Sequence, residues 1–328
     1  MKKITETSVV EYDEPGGPDV LHLVTRPLPA PGEGEVTVEV VTTGLNHIET
    51  FVRAGTETEW HEDYPRRSGS CFAGTVVAVG PGVTAYKIGS DVVGHVRSGA
   101  QATYLTVGVD HLVPKPRTVT FETAGGLYLA GTTALDTLDE LKIGPDDTVV
   151  ISAAAGGVGS IEAQIAKHRG ARVIGTCGDR NFDYLRQLGI IPVRYGEGIA
   201  DRIREKAPDG VTAFIDNFGQ DGRELAHELG VADARFRSSA DRRERELALL
   251  SDEPDAVAHG TEQLKKVVDL AERRAFTVLV SGFYPLEDVA EAYDDLQKLH
   301  SRGKVVLATH PVTTRRIVKA REVMESRG

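Results

Sequence analysis

The stretch TVVISAAAGGVGSIEAQIAK, residues 148–167, decides the fold. A β-branched run at residues 148–151 precedes a glycine cluster, and a helix-like run from Ser160 follows it. The cluster nearly fits the dinucleotide fingerprint G-x-G-x-x-G, with Gly156 and Gly159 at the last two glycine positions and Ala154 at the first. A helix N-terminus after such a turn offers unpaired N–H groups and a positive dipole end to phosphates. The stretch therefore predicts a dinucleotide-binding loop, and a tight turn without a ligand is the alternative.

The residues around this stretch alternate between strand and helix patterns. Strands are predicted at 148–152, 171–176, 191–195 and 211–216, with helices at 158–168, 180–188 and 199–206. This order is typical of a parallel sheet of the Rossmann type. Further along, the patterns predict helices at 261–273 and 286–299 and strands at 276–280 and 304–308. The charged run at 241–250 is predicted to be a solvated helix or a loop with a helical piece.

The first 120 residues have a different pattern. Short runs rich in valine and threonine at 35–42, 74–80 and 91–96 are separated by glycine and proline turns. This spacing predicts a compact, mostly β unit. The fold class is therefore α/β, with a β-rich domain and a doubly wound parallel sheet.

Composition limits the classes of function. The chain has 328 residues, a length typical of about two domains, and a net charge of −11, which disfavours nucleic acid and anionic membranes as partners. Two cysteines do not form a disulfide framework or a four-cysteine zinc site. No run approaches the roughly 18 apolar residues of a membrane span. We expect a cytoplasmic protein.

The end of the second Rossmann strand predicts the choice of cofactor. An NAD site usually places a carboxylate there for the ribose 2′-hydroxyl. Here the strand ends in Thr176 and Cys177, and Asp179 lies beyond the tip of the strand, where the carboxylate is expected. The next residue, Arg180, can bind a 2′-phosphate. The sequence therefore favours NADPH over NADH; the alternative is that Arg180 merely opens a helix.

Several segments together resemble the quinone oxidoreductase branch of the medium-chain dehydrogenase/reductase superfamily. They are Ala153–Gly159 after Gly131-Thr132-Thr133-Ala134, Pro31–Val36, Gly44–Gly55, Ser68–Val76 and Gly303–Leu307. The resemblance covers about residues 8–310. It implies a GroES-like catalytic domain at 1–120 and 275–328, a Rossmann NADP-binding domain at 121–274, and an active site in a cleft between them.

The resemblance also bears on metal binding. The zinc alcohol dehydrogenases of this superfamily carry a cysteine and a His-Glu pair where this chain has Asn46, Ser70 and Cys71. Asparagine and serine are poor zinc ligands, so we predict no metal. Both His47 and Cys71 are interpreted as packing residues.

Candidate site residues follow from the same comparison. The catalytic candidates are Asn46, whose amide can donate to a carbonyl oxygen or hold the nicotinamide, and Tyr64 and Tyr128, which replace the tyrosine that many relatives have at the Phe51 position. Each tyrosine is equally consistent with ordinary packing. Since the family's lysine in the second-strand loop is Phe182 here, Arg180 would hold the 2′-phosphate alone or with Tyr195. The residues expected to contact the cofactor are Phe51, Thr133, Ala155, Gly156, Gly157, Val158, Gly159, Thr176, Arg180, Asn181, Tyr195, Asn217, Phe218, Gly219 and Lys304.

These features predict an NADPH-dependent, zinc-free reductase of a quinone or an activated alkene. The alternative is a redox-silent family member, either a cyclase-like tailoring enzyme or a nucleotide-binding protein. The nearly complete cofactor loop favours the reductase, and the unusual segment Trp60–Tyr64 and Cys71 leave the alternative open because they suggest a specialised pocket. A small conjugated carbonyl or quinone is the expected partner, and a homodimer the expected assembly. The basic stretch 313–327 predicts a terminal helix that is solvated or braces a dimer; a polyanion contact is the other reading.

Overall fold

The computed structural model of the chain describes residues 4–56, 63–219, 222–298 and 302–309. Contacts divide the chain into two units. Unit 1 contains Met1–Leu129, Leu247–Glu272 and Leu279–Gly328, and unit 2 contains Ala130–Glu246 and Arg273–Val278. Contact grouping does not by itself define an independently folding domain, so the domain boundaries near residues 120 and 274 stay a prediction.

The strands within the described residues are β1 (Glu6–Tyr12), β2 (His22–Pro27), β3 (Glu35–Gly44), β4 (Arg66–Arg67), β5 (Cys71–Val79), β6 (Asp91–His95), β7 (Tyr104–Gly108), β8 (Leu112–Pro114), β9 (Thr148–Ile151), β10 (Arg172–Cys177), β11 (Ile191–Arg194), β12 (Ala213–Ile215), β13 (Phe236–Arg237), β14 (Val280–Pro285) and β15 (Lys304–Ala308).

The α-helices are α1 (His47–Arg53), α2 (Phe121–Ala124), α3 (Tyr128–Glu140), α4 (Gly157–His168), α5 (Phe182–Gln187), α6 (Ile199–Lys206), α7 (Gly222–Glu228), α8 (Ser239–Leu249), α9 (Pro254–Glu272) and α10 (Val289–Gln297). Short 3₁₀ turns lie between several of these elements.

Unit 1 is built on two sheets. One has the order β2-β1-β4, and the other has the order β14-β15-β3-β5-β6-β8, with β7 pairing with β3. The long strand β3 alternates, and its Val36, Val38 and Val40 are fully buried in a core with Phe72 and Val92. Because side chains alternate across a strand, this pattern gives β3 one continuous apolar face. The β-rich character predicted for this part is confirmed.

Unit 2 contains a five-stranded sheet with the order β11-β10-β9-β12-β13. All neighbouring strands in it are parallel. Its core includes Val150, Ile174 and Phe214 from three of these strands, together with Ile203 of α6 and Ala226 of α7. The predicted α/β class with a Rossmann-like parallel sheet is confirmed.

One predicted strand is wrong. Residues 276–279 are not a strand, and β14 begins at Val280. The Gln164 side chain donates to the Thr277 carbonyl at 2.9 Å and accepts from the Thr277 N–H at 3.0 Å. A side-chain amide thus takes both backbone groups that a neighbouring strand would need. No helix in the described ranges has the length and apolarity required to cross a membrane.

Candidate functional site

The glycine loop of unit 2 joins β9 to α4. Gly156 caps α4 with extended backbone (φ −80°, ψ −177°), while Ala153 takes the left-handed region at φ 46°. A Cβ on Gly159 would lie 2.6 Å from the Ala153 carbonyl oxygen, whereas a Cβ on Gly156 would meet nothing closer than 3.2 Å. Gly159 is therefore required by the packing of helix against loop, and Gly156 leaves its outer side open to a ligand.

The other loop residues divide by burial. Ala155 is buried, and Gly157 and Val158 are half-buried at the start of α4. Their position at a helix of 12 residues places unpaired N–H groups at the loop. Such N–H groups and the helix dipole fit the pyrophosphate of a dinucleotide.

The loop after β10 carries the positive charge near the predicted ribose position. Thr176 is buried, and its carbonyl accepts from the Ala154 N–H at 3.2 Å. Arg180 is exposed and Asn181 is half-buried, both in the turn Asp179–Asn181. Arg194, a residue that the sequence analysis did not single out, forms an ion pair with Asp179 at 3.4 Å. The carboxylate of this turn is therefore paired with an arginine.

Tyr195 lies beside the same turn. Its ring is 51% exposed and lies 6.4 Å from the Phe218 ring, and its hydroxyl lies 3.5 Å from where a Cβ of Gly178 would stand. Arg202 of α6 donates to the carbonyls of Arg194 (2.9 Å) and Glu197 (2.8 Å), and so fixes the segment that carries Tyr195. The structure brings Tyr195 and Phe218 together at the carboxyl ends of β11 and β12.

Asp216 orders the loop after β12. Its carboxylate accepts from the Ser152 hydroxyl at 2.9 Å and from the N–H groups of Phe218 (3.1 Å) and Gly219 (2.8 Å). Asn217 points inward: it is 7% exposed, and its amide nitrogen donates to Glu162. Asp216 therefore fixes the backbone of Phe218 and Gly219, two of the three residues expected at the nicotinamide ribose, and Glu162 holds the third by its side chain.

Thr133 on α3 is fully buried, and its hydroxyl has no hydrogen-bond partner among the described residues. A buried hydroxyl normally has a partner. The unpartnered oxygen therefore fits a residue that receives its hydrogen bond from a bound cofactor.

In unit 1, Asn46 lies at the N-cap of α1 within a buried polar group. Its amide oxygen accepts from the Lys304 ammonium at 2.7 Å. Its amide nitrogen lies 3.3 Å from Glu49 Oε1, 3.4 Å from Ser70 Oγ and 3.4 Å from Cys71 Sγ. The two distances to oxygen are long for hydrogen bonds, whereas 3.4 Å is an ordinary distance to sulfur, so the amide hydrogens are held weakly by Glu49 and Ser70.

Lys304 lies in β15 of unit 1. It is 5% exposed, and its ammonium also donates to the Leu45 carbonyl at 2.7 Å. The structure therefore brings Lys304 together with Asn46. Burial raises the pKa of the Cys71 thiol in this group, against the opposing effect of Lys304.

The polar group extends to residues that the sequence analysis missed. Glu49 accepts from the Ser70 hydroxyl and from the Tyr293 hydroxyl, each at 2.7 Å. Gln101 donates to the Tyr293 oxygen at 2.8 Å, and the Arg53 guanidinium lies 4.6 Å above the Tyr293 ring. Burial, followed by the Glu49 charge, raises the pKa of Tyr293 well above its usual value. No local pattern links these residues, because Tyr293 and Glu49 are 244 positions apart.

The remaining candidates lie apart from this group. Phe51 is half-buried on α1, and Tyr64 is 38% exposed, with the Arg66 guanidinium 4.3 Å from its ring. Tyr128 is fully buried; its ring stacks on His95 at 4.1 Å, and its hydroxyl donates to the Leu249 carbonyl at 2.7 Å. These contacts fit the packing alternative for Tyr128, and its role as a proton donor stays a prediction. Residues 60–62 and the stretch 313–327 lie outside the described residues.

The three positions that correspond to zinc ligands in relatives do converge, at Asn46, Ser70 and Cys71. Asn46 and Ser70 are neutral and poor zinc ligands, and the Lys304 ammonium lies 2.7 Å from the Asn46 amide oxygen. Within the described ranges, no three histidine, cysteine, aspartate or glutamate side chains cluster as metal ligands.

A parallel sheet with a glycine loop at a helix N-terminus, in a chain with a β-rich unit, is typical of oxidoreductases of the alcohol dehydrogenase type. Two family profiles match: "Alcohol dehydrogenase GroES-like domain" over residues 32–117 and "Zinc-binding dehydrogenase" over residues 199–307. The chain belongs to the quinone oxidoreductase branch of the medium-chain dehydrogenase/reductase superfamily.

The chain is similar to several individual proteins. A probable zinc-binding oxidoreductase, mitochondrial, of Arthroderma benhamiae is 33% identical over 88% of this chain and 92% of its own length. The Escherichia coli quinone oxidoreductase, solved in complex with NADPH, is 26% identical over 92% of this chain and 99% of that chain, with a TM-score of 0.77. The polyketide synthase GfsB of Streptomyces halstedii is 30% identical over 91% of this chain, which corresponds to only 6% of that protein.

Proposed function

We propose that the chain is an NADPH-dependent reductase that transfers hydride to a quinone or an activated alkene, such as an enone or enoyl group, without a metal. The observation that carries the proposal is the loop after β9, where Gly156 leaves room for a phosphate at the N-terminus of α4. The turn after β10 adds Arg180, and its carboxylate Asp179 is already paired with Arg194. A 2′-phosphate fits this charge pattern better than a 2′-hydroxyl does.

The residues proposed to hold the cofactor are those of unit 2 described above. The loop at Ala155–Gly159 would bind the pyrophosphate, and Arg180, Asn181 and Tyr195 the 2′-phosphate. Thr133, Asn217, Phe218 and Gly219 would surround the nicotinamide ribose. When bound, NADPH supplies the hydride.

Unit 1 supplies the polar groups for the acceptor in this proposal. Lys304 holds the Asn46 amide oxygen, so the amide nitrogen is the end available to a carbonyl oxygen or to the nicotinamide. Its contacts to the oxygens of Glu49 and Ser70 are long, and a thiol is a weak acceptor, so turning one N–H to a ligand costs little. Tyr64 stays the tyrosine proposed as proton source.

The acceptor class follows from the absence of good metal ligands at this group. A simple ketone needs strong stabilisation of its developing alkoxide. In a quinone or an enone the charge spreads to an enolate oxygen, so hydrogen-bond donors and a proton source suffice. Conjugated acceptors therefore match the chemistry of Asn46 and its neighbours.

The test is NADPH consumption by the purified protein with phenanthrenequinone and a panel of small enones. We expect turnover with at least one of these acceptors and a preference for NADPH over NADH. Binding of NADPH without reduction of any acceptor would contradict the reductase and favour the redox-silent alternative. The homodimer and the cytoplasmic location stay predictions, to be tested by mass in solution and by cell fractionation.

A further inference from the structure

Glu162 is a buried carboxyl group in the first turns of α4, the helix that begins at the glycine loop. It has no exposed surface. One oxygen, Oε2, accepts from the Asn217 amide nitrogen. The other, Oε1, is buried and has no hydrogen-bond partner among the described residues. Burying a carboxyl group costs free energy unless its oxygens are hydrogen-bonded or paired. The proposed chemistry does not use this carboxyl group.

Asn217 is the partner that connects Glu162 to the proposed cofactor site. Its amide nitrogen faces Glu162, with the Ser152 carbonyl as a further acceptor at 3.5 Å. Its amide oxygen therefore lies at the opposite end, where it too is buried and without a partner in the part of the chain described. An unsatisfied buried acceptor costs free energy that a bound donor recovers.

We infer that Glu162 is a positioning residue for the dinucleotide. It holds the Asn217 amide so that its oxygen, rather than its nitrogen, faces a hydrogen-bond donor of the bound cofactor. The inference rests on the proposed function, because it assumes that the loop after β12 borders the cofactor. It adds to that function a residue whose ionised carboxylate directs the Asn217 oxygen toward the cofactor.

Charges on α8 surround the same carboxyl. Arg242 and Arg245 favour its ionised form, and Glu246 opposes it. Both arginines have other partners: Arg242 lies 3.7 Å from Glu246, and Arg245 pairs with Glu140. Neither arginine is therefore committed to Glu162 alone.

The protonation state of Glu162 determines which orientations of the Asn217 amide it can hold. Burial raises its pKa to about 7, despite the opposing Asn217 hydrogen bond and Arg242. An ionised carboxylate only accepts, so it requires the Asn217 nitrogen. A protonated carboxyl still has an acceptor oxygen, but it can also donate to the Asn217 oxygen, so the orientation in which the amide presents N–H to the ligand becomes accessible. Cofactor affinity should therefore fall as the pH falls through neutrality.

The experiment measures NADPH dissociation constants by fluorescence from about pH 8 to about pH 6, where one unit of pKa shift corresponds to a tenfold change in affinity. We expect wild-type affinity to fall roughly threefold to tenfold more than that of Glu162→Gln, whose side chain does not titrate. The 2′-phosphate of NADPH titrates equally in both proteins, so the difference between their slopes belongs to Glu162. Asn217→Ala should bind NADPH weakly at every pH and should show the same smaller slope as Glu162→Gln, although Glu162 itself is unchanged in it.

Asp147→Asn is the matched control. Asp147 is a carboxylate of the same unit, paired with Arg235, but it precedes β9 at the end of the strand opposite to the glycine loop. This variant should keep the wild-type slope. Equal slopes in wild type and Glu162→Gln would overturn the inference. No NADPH binding in any protein at any pH would instead contradict the proposed function.

A second ligand identifies the donor. 2′-Phospho-ADP-ribose keeps the ribose hydroxyls but lacks the nicotinamide. If Glu162→Gln flattens the slope for both ligands, the donor is a ribose hydroxyl. If it does so for NADPH alone, the donor is the nicotinamide carboxamide.

Discussion

Gly156 and Gly159 lie three residues apart in one loop, and the structure gives them different reasons to be glycine. At Gly159 a Cβ would lie 2.6 Å from the Ala153 oxygen and 3.1 Å from the Ala154 Cα, both of them backbone atoms. At Gly156 the nearest atom would be 3.2 Å away, and its φ of −80° suits any residue. One glycine serves the fold, and the other leaves space for a ligand.

The two substitutions to alanine should therefore separate stability from binding. Gly159→Ala should lower the free energy of unfolding by about 1–3 kcal/mol, because backbone must move to admit the methyl group. Gly156→Ala should change stability by less than about 1 kcal/mol but weaken NADPH at least tenfold. Urea unfolding and NADPH titration measure the two effects. Unchanged NADPH affinity in Gly156→Ala would mean that the phosphate lies elsewhere.

Arg180 and Arg194 provide a second test at the residue scale. Arg180→Ala should weaken NADPH far more than NADH, by about 1.5–3 kcal/mol for a lost charge-assisted hydrogen bond. Arg194→Ala should have a smaller effect, since Arg194 is paired with Asp179. Dissociation constants for both nucleotides measure this selectivity. An equal loss for NADPH and NADH would rule out contact with the 2′-phosphate.

At the scale of elements, the sequence predicted the regular βαβ part well. Predicted and observed bounds of β9, α4, β10, β11 and α6 differ by at most one or two residues, because apolar periodicity and turn residues are local signals. The predicted strand at 276–280 failed because the Gln164 side chain binds Thr277 from 113 positions away. The role of Arg202 in holding the segment of Tyr195 was likewise not predictable. In the sequence, an arginine that binds backbone carbonyls cannot be distinguished from any other exposed charge.

His95 of β6 contacts two further residues of unit 1, Thr261 and Tyr128. Its Nε2 lies 2.7 Å from the Thr261 hydroxyl of α9, and its ring stacks on Tyr128 of α3. Burial, with a smaller effect of His111, lowers its pKa from 6.5 to about 3. The folded protein therefore keeps this ring neutral in a pH range where the unfolded chain protonates it.

The sign of the pH effect follows from this difference. Unfolding takes up a proton between these two pKa values, so His95 costs stability as the pH falls below about 6.5, by about 1.4 kcal/mol per pH unit. His95→Gln should be less stable than wild type near neutrality but should lose less on acidification. Urea unfolding at about pH 7 and about pH 5 tests this. Parallel losses in both proteins would show that His95 titrates normally.

At the scale of the whole molecule, the buried polar group of unit 1 takes its members from segments that are far apart in the chain. Asn46, Ser70 and Cys71 were identified in the sequence as departures from a zinc site, and the structure shows that they contact one another. The contributions of Lys304 and Tyr293 were not predictable, because they depend on how β15 and α10 pack in the sheet and its core. Long-range assembly of this kind leaves no periodic signal.

Metal content is the prediction that belongs to this scale. We expect purified protein to contain far less than one zinc per chain, because Asn46 and Ser70 are neutral, burial keeps the Cys71 thiol protonated, and Lys304 places a cation in the same group. Elemental analysis after purification without chelators measures this. One zinc per chain would contradict the metal-free mechanism.

A Lys304→Met variant should lose stability by about 1–3 kcal/mol, since it leaves the Asn46 and Leu45 oxygens without a donor.

The alanine at position 154 has a counterpart on the neighbouring strand. Its Cβ lies 2.6 Å from where a Cβ on Gly175 of β10 would stand, so the volume of the two positions is shared. Alanine therefore stands at the fingerprint position in the loop, and glycine stands at the facing position of the neighbouring strand. The two side-chain volumes compensate for each other. Ala154→Gly alone would open a void, and Gly175→Ala alone would overfill it. The double variant should be more stable than the sum of the two single effects predicts, although Leu185 and Ile190 also border position 175. A library that varies this loop should therefore vary positions 154 and 175 together.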